Sequence, residues 1–444
     1  MIDRKNPPRS GELADFLFPS YEREELKNKV KLYSVNNPSQ TMTGIKLIIK
    51  NGAFSENVPG TAFCAGQMLT RGSKEKSAQE IALTAESLGT NVQVHAGWDA
   101  LSISALALEE NFDKILDLVL ECMNESVFDQ DELDNLRHKH LAHIQQEMVD
   151  ANFLARFAFA MEYYRGHFYG HPLIGSTKSI SNIKTEDLSR WYEESKKNEV
   201  GAIVFGKYDE KIVRDKLETS LSDWQYKNNT KFEYFKNKES KRKVVLIDKP
   251  DASQTTICIG REIVGRDDPD FVKLQFANVM FGGYFLSRLN EVIREEMGLT
   301  YGIYSQLDIR RMGNTLNIVS GINKSLTKKT FEAIKEEILK FASDEITHEE
   351  FDRAKQYVMG SFLRSIETQN QVSGMLSNIF VNDLSSNYYA DYFNLIKSLN
   401  IEDMTEVRKR FFDPKEFIIA AAGDIDFLSN ELAEYGEIKI AEKL

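Results

Sequence analysis

The chain has 444 residues, of which 42% are hydrophobic and 28% are charged, and its formal net charge is −12. This composition is typical of a globular protein of two or three domains and not of a disordered chain. The acidic balance argues against a nucleic-acid partner, because binding to phosphates requires a basic face. No apolar run approaches the roughly 20 residues that a bilayer-spanning helix needs, so we expect no association with a membrane.

The cysteines and the N-terminus bear on the cellular compartment. Cys64, Cys122 and Cys258 are far apart and odd in number, and they predict neither a disulfide framework nor a CxxC metal site. The first residues, MIDRKNPPRSGELADF, lack the apolar segment of a signal peptide. We therefore expect a soluble, cytoplasmic protein, with a periplasmic location possible only if a leader has been removed.

The first half of the chain, after a polar N-terminal arm, alternates between strand and helix patterns. Residues 31–54 predict a β-hairpin around an Asn-Asn-Pro-Ser turn, and residues 91–108 predict a second pair of strands. Between them, residues 77–88 form a short amphipathic helix, with Ser77 as its N-cap and Glu80 completing a capping box. The remaining elements are helices at 110–123, 130–149, 151–165 and in TEDLSRWYEES, and a strand at 201–209.

A Lys- and Asn-rich segment, residues 227–242, has no core-facing pattern and is interpreted as a linker. The segments beyond it repeat those before it in the same order, at offsets of 214 to 218 residues. The matching pairs are Gln40 with Gln254, Glu132 with Glu350, and Asp209 with Asp426. This repeat predicts two homologous α/β halves, residues 1–226 and 243–444, each large enough for its own core.

The stretch 281–305, FGGYFLSRLNEVIREEMGLTYGIYS, is the most patterned part of the second half. It opens with Gly282 and Gly283 and continues as an amphipathic helix. The apolar residues at helical spacing are Phe285, Leu289, Val292, Ile293 and Met297. Gly298 is placed like the left-handed residue just beyond a helix end, and LTYGIYS alternates as a strand does.

Two side chains in this stretch could bind a peptide. Arg294 falls in the last predicted helical turn and Tyr301 in the strand that follows. Both carry donors that can bind peptide carbonyl oxygens. The alternative is structural: Arg294 complements the helix C-terminus, and Tyr301 fills the edge of a core.

Several segments together resemble the pitrilysin family of zinc peptidases, the inverzincins. They are GTAFCAGQMLTRGS, YGHPLIGSTKSI, DKPDASQTTICIG and SRLNEVIREEMGLTYG. The resemblance covers nearly the whole chain after the N-terminal arm, and it favours the branch that includes bacterial two-subunit peptidases and the mitochondrial processing peptidase. It implies an α+β fold of two homologous halves, each an antiparallel-rich sheet packed with helices, which together form half of a clam-shell chamber.

In catalytic members of that family, an HxxEH helix supplies two zinc-binding histidines and the glutamate that activates water. The five matching positions here are Phe63, Cys64, Ala65, Gly66 and Gln67. Phenylalanine has no donor atom, glycine cannot act as a base, and the glutamine amide is a poor zinc ligand. Cys64 stands alone on the helix and is interpreted as a small buried thiol. We therefore expect no zinc, and no cofactor, in this chain.

Three histidines follow on a later helix, near the position of the family's third zinc ligand. That position falls near His143, and the same helix carries His138 and His140. Two of them, three residues apart, could share a helix face. Zinc sites need three or four converging ligands, so solvated helix histidines are the alternative. A self-sufficient enzyme using this cluster would bind zinc stoichiometrically.

The family's second half carries an Arg and a Tyr seven residues apart, which face the zinc and hold the substrate main chain. Arg294 and Tyr301 match this pair, and Gly282 and Gly283 resemble a short form of the glycine-rich element before it. The resemblance thus implies the non-catalytic subunit of a heterodimeric zinc peptidase, with unstructured peptides as substrates and an HxxEH-bearing homologue as the zinc-binding partner. The alternative is a structural or peptide-binding homologue without a role in proteolysis, like the core subunits of respiratory complexes.

Overall fold

A computed structural model describes residues 18–224, 226, 233–237, 243–250 and 252–443. Within these residues the chain forms two mixed sheets of six strands, each packed with helices, so the expected α+β fold of two similar halves is confirmed. No helix in this part of the chain is both long enough and apolar enough to span a bilayer.

The first sheet is built from residues 22–206. Its strands are β1 (Glu22–Glu25), β2 (Lys31–Asn36), β3 (Met42–Ile49), β4 (Gln93–Ala96), β5 (Leu101–Leu108) and β6 (Val200–Gly206). Their order is β1-β2-β6-β3-β5-β4, in which only β2 and β6 are parallel. The predicted hairpin over 31–54 is therefore wrong: β2 and β3 form, but β6 lies between them and pairs with both.

The second sheet repeats this arrangement. Its strands are β7 (Lys243–Asp248), β8 (Gln254–Ile263), β9 (Thr300–Ile309), β10 (Asn314–Asn323), β11 (Ile418–Gly423) and β12 (Glu437–Ala441). Their order is β12-β7-β11-β8-β10-β9, and β11 separates β7 from β8 as β6 separates β2 from β3. The halves differ at one edge: β12 is parallel to its neighbour β7, whereas β1 is antiparallel to its neighbour β2. Strands β4 and β9 form the equivalent opposite edges.

Fifteen α-helices occur in the described residues. Those of the first half are α1 (Thr61–Met68), α2 (Ala78–Ser87), α3 (Phe112–Asn124), α4 (Gln130–Glu147), α5 (Ala151–Tyr163), α6 (Thr177–Asn182), α7 (Thr185–Ser195) and α8 (Glu210–Ser220). Those of the second half are α9 (Phe271–Asn278), α10 (Thr327–Ser343), α11 (His348–Arg364), α12 (Gln369–Val381), α13 (Tyr388–Ser398), α14 (Met404–Phe411) and α15 (Ile425–Leu432). The predicted capping box of α2 is present: Ser77 accepts from the Glu80 N–H, and the Glu80 carboxylate accepts from the Ser77 N–H.

Shorter helical segments complete the chain. The 3₁₀ turns are Ala53–Ser55, Glu109–Asn111, Phe168–Gly170, Lys324–Leu326, Pro414–Glu416 and Ala433–Tyr435. Two segments of the second half are π-helical, Val279–Gly283 and Asn290–Glu296.

The two halves exchange one helix each. Helix α5, from the first half, packs on β7, β8 and β11, and helix α12, from the second half, packs on β6 and β3. Glycines make room for both: a Cβ on Gly260 would lie 2.6 Å from the Phe159 ring of α5, and one on Gly201 would lie 2.8 Å from the Phe380 ring of α12. Each sheet therefore depends on the other half for part of its core.

The repeat also preserves individual interactions. Glu132 and Glu350 lie in the first turns of α4 and α11, and each forms an ion pair with an arginine, at 3.4 Å to Arg71 and 2.9 Å to Arg288. The predicted match of Asp209 with Asp426 is displaced. Asp209 is the N-cap of α8, whereas the N-cap of α15 is Asp424. The residue with the same capping role thus lies two positions before the predicted match, Asp426.

Part of the predicted linker packs against the protein. Tyr234 donates a hydrogen bond to the Ile263 carbonyl at 2.8 Å, and the Phe235 ring lies 5.4 Å from the Tyr164 ring. Residues 233–237 thus contact the fold although their sequence shows no core-facing pattern. Residues 227–232 and 238–242 lie outside the described part of the chain.

Candidate functional site

Helix α1 carries the five positions that replace the zinc motif. It begins after Gly60, whose φ of +92° is readily adopted only by glycine. The Glu56 carboxylate accepts the N–H groups of Gly60 and Ala62 at 2.9 and 2.8 Å, so it caps the first turn. Burial raises the pKa of Glu56 to about 7 despite these hydrogen bonds, which act in the opposite direction.

The side chains of α1 that face the sheet are small. Cys64 is 1% exposed, and burial raises the pKa of its thiol to about 12, so the thiol stays protonated and inert, as expected. Gly66 lies against β4 and β5: a Cβ there would lie 3.0 Å from Leu101 Cδ1 and 3.2 Å from Ala96 Cβ. The position of the catalytic glutamate is thus closed by apolar packing.

Phe63, at the position of the first zinc ligand, stacks on His140 of α4. The two ring centroids are 4.3 Å apart and the planes differ by 19°. His140 is 3% exposed, and its Nε2 lies 2.7 Å from the Ile174 carbonyl oxygen. Because a carbonyl oxygen can only accept, Nε2 carries the hydrogen and donates a hydrogen bond. Burial lowers the pKa of His140. The pair is a packing contact, and the expectation of solvated helix histidines is wrong for His140.

The other two histidines of α4 are not buried with this pair, although the His143 ring centroid lies 6.0 Å from that of His140. His138 and His143 are exposed, and His143 Nε2 lies 3.9 Å from the Glu147 carboxylate. In the described part of the chain, no three His, Cys, Asp or Glu side chains come together as a metal site would require. The residues therefore do not fit the zinc ion that the family's catalytic members hold, and the His138–His143 cluster does not replace it.

In the second half, the predicted helix over 284–297 is interrupted. Residues 284–287 form a turn, and Asn290–Glu296 is π-helical. Leu289 and Ile293 are fully buried, as their spacing predicted, but Phe285 is 63% exposed because it lies in the turn. Gly298 has a φ of +63°, so the predicted left-handed residue after the helix end is confirmed. π-Helical turns occur often at functional sites.

Gly282 permits close contact between the first π-helical segment and the edge strand β9. A Cβ on Gly282 would lie 2.6 Å from Ser305 Oγ and 2.7 Å from the Ser305 backbone nitrogen. Gly283 is less constrained, since its nearest neighbour, the Asn278 carbonyl oxygen, would lie 3.2 Å away. The first glycine therefore fixes the position of β9, which carries Tyr301.

Arg294 and Tyr301 lie on either side of the Gly298 turn. The Arg294 guanidinium rests 4.7 Å above the centroid of the Phe285 ring and is 3.1 Å from the Glu295 carboxylate. Tyr301, near the start of β9, is 93% exposed, so it does not fill a core edge. Among the described residues, no hydrogen bond joins Arg294 to Tyr301. The phenol is thus available to a ligand, and the guanidinium is oriented by an aromatic ring.

Two features of this region were not found from the sequence. Glu56, which caps α1, lies four residues before the N-cap residue Gly60 and so outside the usual capping position. The support of Arg294 by Phe285 was missed because helical spacing assigned Phe285 to the apolar face. An aromatic residue next to the paired glycines, where a regular helix is hard to continue, was the available signal.

Comparisons with known proteins identify the family of this chain. Residues 31–176 match the family described as Insulinase (Peptidase family M16), and residues 182–358 match the family described as Peptidase M16 inactive domain. Together the two matches span most of the chain.

Relatives align over most of their own length. An uncharacterized zinc protease, YmxG, of Bacillus subtilis is 22% identical over 400 residues, which cover 87% of this chain and 93% of the relative. The non-peptidase homolog YmxG of Helicobacter pylori is 24% identical over 387 residues, which cover 86% and 89%.

Solved structures share the fold. A peptidase M16 inactive domain from Pseudomonas fluorescens superposes with a TM-score of 0.83 at 23% identity, covering 91% of this chain and 98% of that one. A protease from Helicobacter pylori gives a TM-score of 0.81 at 18% identity, covering 92% and 100%.

Proposed function

Because this chain belongs to the M16 family of peptidases but has lost the family's zinc-binding residues, we propose that it is the non-catalytic subunit of a two-chain zinc peptidase. It binds extended, unstructured peptide and supplies Arg294 and Tyr301 to a zinc site on a homologous HxxEH-bearing partner. The observation that carries this proposal is the 93% exposure of Tyr301 on an edge strand. In the described part of the chain this phenol forms no hydrogen bond, so it is free for a ligand.

The chemistry of the pair suits peptide hydrolysis. The partner's zinc ion would supply an activated water for attack on the scissile carbonyl. Arg294 and Tyr301 would donate hydrogen bonds to a substrate carbonyl oxygen or to the oxyanion that develops from it. Removal of one such donor in other enzymes lowers kcat by about 10²–10³-fold. The Phe285 ring beneath Arg294 favours one orientation of the guanidinium before substrate arrives.

The sheet edges support peptide binding by strand addition. Within the described residues, strands β4 and β9 each pair with a neighbour on one side only, so their other backbone groups can pair with an extended peptide. Tyr301 lies on β9, and α1, with the replaced zinc motif, packs against β4. A peptide added at β9 would pass close to the tyrosine.

The test is reconstitution with the HxxEH-bearing homologue from the same organism. Each chain is purified separately, and cleavage of an unstructured fluorogenic peptide is measured for each chain alone and for the mixture. We expect turnover only in the mixture, with zinc retained by the partner and absent from this chain. Cleavage by this chain alone, together with stoichiometric zinc, would overturn the proposal.

A second candidate is a peptide-binding homologue without a role in proteolysis. It is favoured by the printed name of the Helicobacter pylori relative, a non-peptidase homolog. The reconstitution separates the two candidates: under this alternative the mixture binds the peptide but cleaves it no faster than the HxxEH-bearing chain does alone.

A further inference from the structure

A cleft of about 1270 Å³ opens on the first sheet, on the face that α12 covers only in part. Strand register places polar residues next to one another there: Lys46 of β3 is opposite Ser104 of β5, and His95 of β4 is opposite Ser102. The N-terminal end of α12 borders the cleft through Asn370 and Ser373. The cleft thus has a polar floor next to the free edge of β4.

Lys46 is the cation of this floor, and it has no partner in the described part of the chain. It lies on the central strand β3, is half-buried, and forms no hydrogen bond or ion pair there. Burial lowers the pKa of its ammonium. Glu86 also borders the cleft, but it is an exposed residue of α2 and does not pair with Lys46. A half-buried ammonium without a counter-charge favours an anionic ligand.

The second sheet shows that this polar floor is not required by the fold. There, Cys258 of β8 takes the position of Lys46. Cys258 pairs with Val319 of β10 and Ala420 of β11, whereas Lys46 pairs with Ser104 of β5 and Ile203 of β6. Cys258, Val319 and Ala420 are buried beneath α5, which crosses β7, β8 and β11. Helix α12 covers less of the first sheet, and the residues left uncovered include Lys46, His95 and two serines.

We propose that this cleft binds a carboxylate of an extended polypeptide, from an acidic side chain or from a chain end. The carboxylate pairs with Lys46, and the hydroxyls of Ser102 and Ser104 are further donors. The peptide backbone runs along the free edge of β4, which is adjacent to the same floor. This inference rests on the proposed function only in taking polypeptide as the ligand, because the cleft lies on the other sheet from Arg294 and Tyr301.

The test uses the isolated full-length chain and three rhodamine-labelled nonapeptides of Ser, Thr and Gly. One has a central Glu and an amidated C-terminus, one has Gln in its place and an amidated C-terminus, and one has Gln and a free C-terminus. Fluorescence anisotropy gives the Kd of each. We expect at least one carboxylate-bearing peptide to bind about tenfold more tightly than the neutral one, as one charge-assisted contact provides. The difference between the two carboxylate-bearing peptides identifies the source of the carboxylate.

Two variants connect the binding to the cleft. Lys46→Gln should abolish the preference for carboxylate, whereas Lys178→Gln, which removes an equal charge from the exposed surface of α6, should retain it. Equal affinity for all three peptides, absence of binding at millimolar peptide, or an undiminished preference in Lys46→Gln would overturn the inference. Failure of the proposed peptidase role is detected separately, in the turnover of the mixed chains.

Discussion

At the scale of single residues, the replaced zinc motif has become part of the hydrophobic packing. Phe63 stacks on His140, which donates a hydrogen bond to the Ile174 carbonyl oxygen. Gly66 lets α1 approach β4 and β5 closely. At these two positions of the replaced motif, a ring stack and a close helix–sheet contact therefore contribute to the packing of the first half.

The packing around Gly66 predicts the result of restoring the glutamate. Gly66→Glu would bring a carboxylate among Leu101, Ala96 and Val94, which supply no hydrogen-bond donor. We expect it to lower the free energy of unfolding by about 3 kcal/mol, since burial of an unpaired polar group has a cost of that order. Urea unfolding measures the change, with the exposed Glu86→Gln on α2 as a control that should be nearly neutral. A Gly66→Glu variant as stable as the parent would contradict this packing.

Glu56 predicts a pH dependence with a definite sign. Its pKa in the folded chain is raised from 4.5 to about 7, so the folded state holds the proton more tightly than the unfolded state. The associated stability is fully present below pH 4.5 and is lost as the pH rises through 7. At about 1.4 kcal/mol per pKa unit, the loss is about 3 kcal/mol. Urea unfolding between pH 4.5 and 8 should show this decline in the parent and not in Glu56→Gln; parallel profiles would contradict it.

At the scale of elements, the segment from α9 to β9 determines where Tyr301 lies. A turn over residues 284–287 and the π-helical segment Asn290–Glu296 lie where periodicity predicted a single helix, and the left-handed Gly298 follows as predicted. Ion pairs attach this segment to α11, through Arg288 with Glu350 and Arg353 with Glu291. Both ion pairs involve residues just after the turn that exposes Phe285, so this part of the segment is held on α11.

Gly282 provides a direct test of this arrangement. Gly282→Ala would place a methyl group within 2.7 Å of the β9 backbone, so either the π-helical segment or the strand must move. We expect a loss of about 2 kcal/mol in stability, within the range for overpacking. Gly360→Ala on α11, where no atom lies within 4 Å of the added Cβ, serves as the matched control. It should be neutral or slightly stabilising, because alanine favours a helix. Equal effects of the two substitutions would contradict the close contact at Gly282.

The elements also show how far sequence reasoning extends. Local signals were sufficient for the α2 capping box and the Gly298 helix end, because each depends on residues close in sequence. Strand order was not predictable in this way. Strand β6 lies between β2 and β3 although it begins about 150 residues after β3 ends, and turn residues indicate only pairing between strands close in sequence. The exposure of Tyr301 likewise depends on the edge position of β9, which periodicity alone does not reveal.

At the scale of the whole molecule, the halves are joined by more than a linker. Helices α5 and α12 each complete the core of the opposite half. Arg310, in the second half, lies about 5 Å from the centroids of the Trp98, Tyr164 and Tyr169 rings of the first half. Asp99 accepts hydrogen bonds from Tyr169 at 2.5 Å and from the Arg311 N–H at 3.0 Å. These contacts should couple the folding of the two halves.

Phe380→Ala tests that coupling. The ring belongs to α12 of the second half but packs on Gly201 in the first sheet, and it is 1% exposed. Truncation should cost about 3 to 5 kcal/mol. We expect calorimetry to show one transition at a lower Tm, in which both halves unfold together. Leu83→Ala, at a site that is 54% exposed on α2, should leave the Tm nearly unchanged. Two separate transitions, of which only one has a lowered Tm, would show that the halves fold independently.

The central claim is that this chain donates Tyr301 to a zinc site on another chain, and kcat of the mixed chains tests it most directly. The matched control is Tyr304→Phe, on the same strand, where the phenol already accepts a hydrogen bond from Arg156 at 2.8 Å. We predict that Tyr301→Phe lowers kcat by about 10²–10³-fold with complex formation and zinc content unchanged, as loss of one oxyanion donor does in other enzymes, while Tyr304→Phe retains nearly full turnover. Undiminished kcat in Tyr301→Phe would contradict the claim.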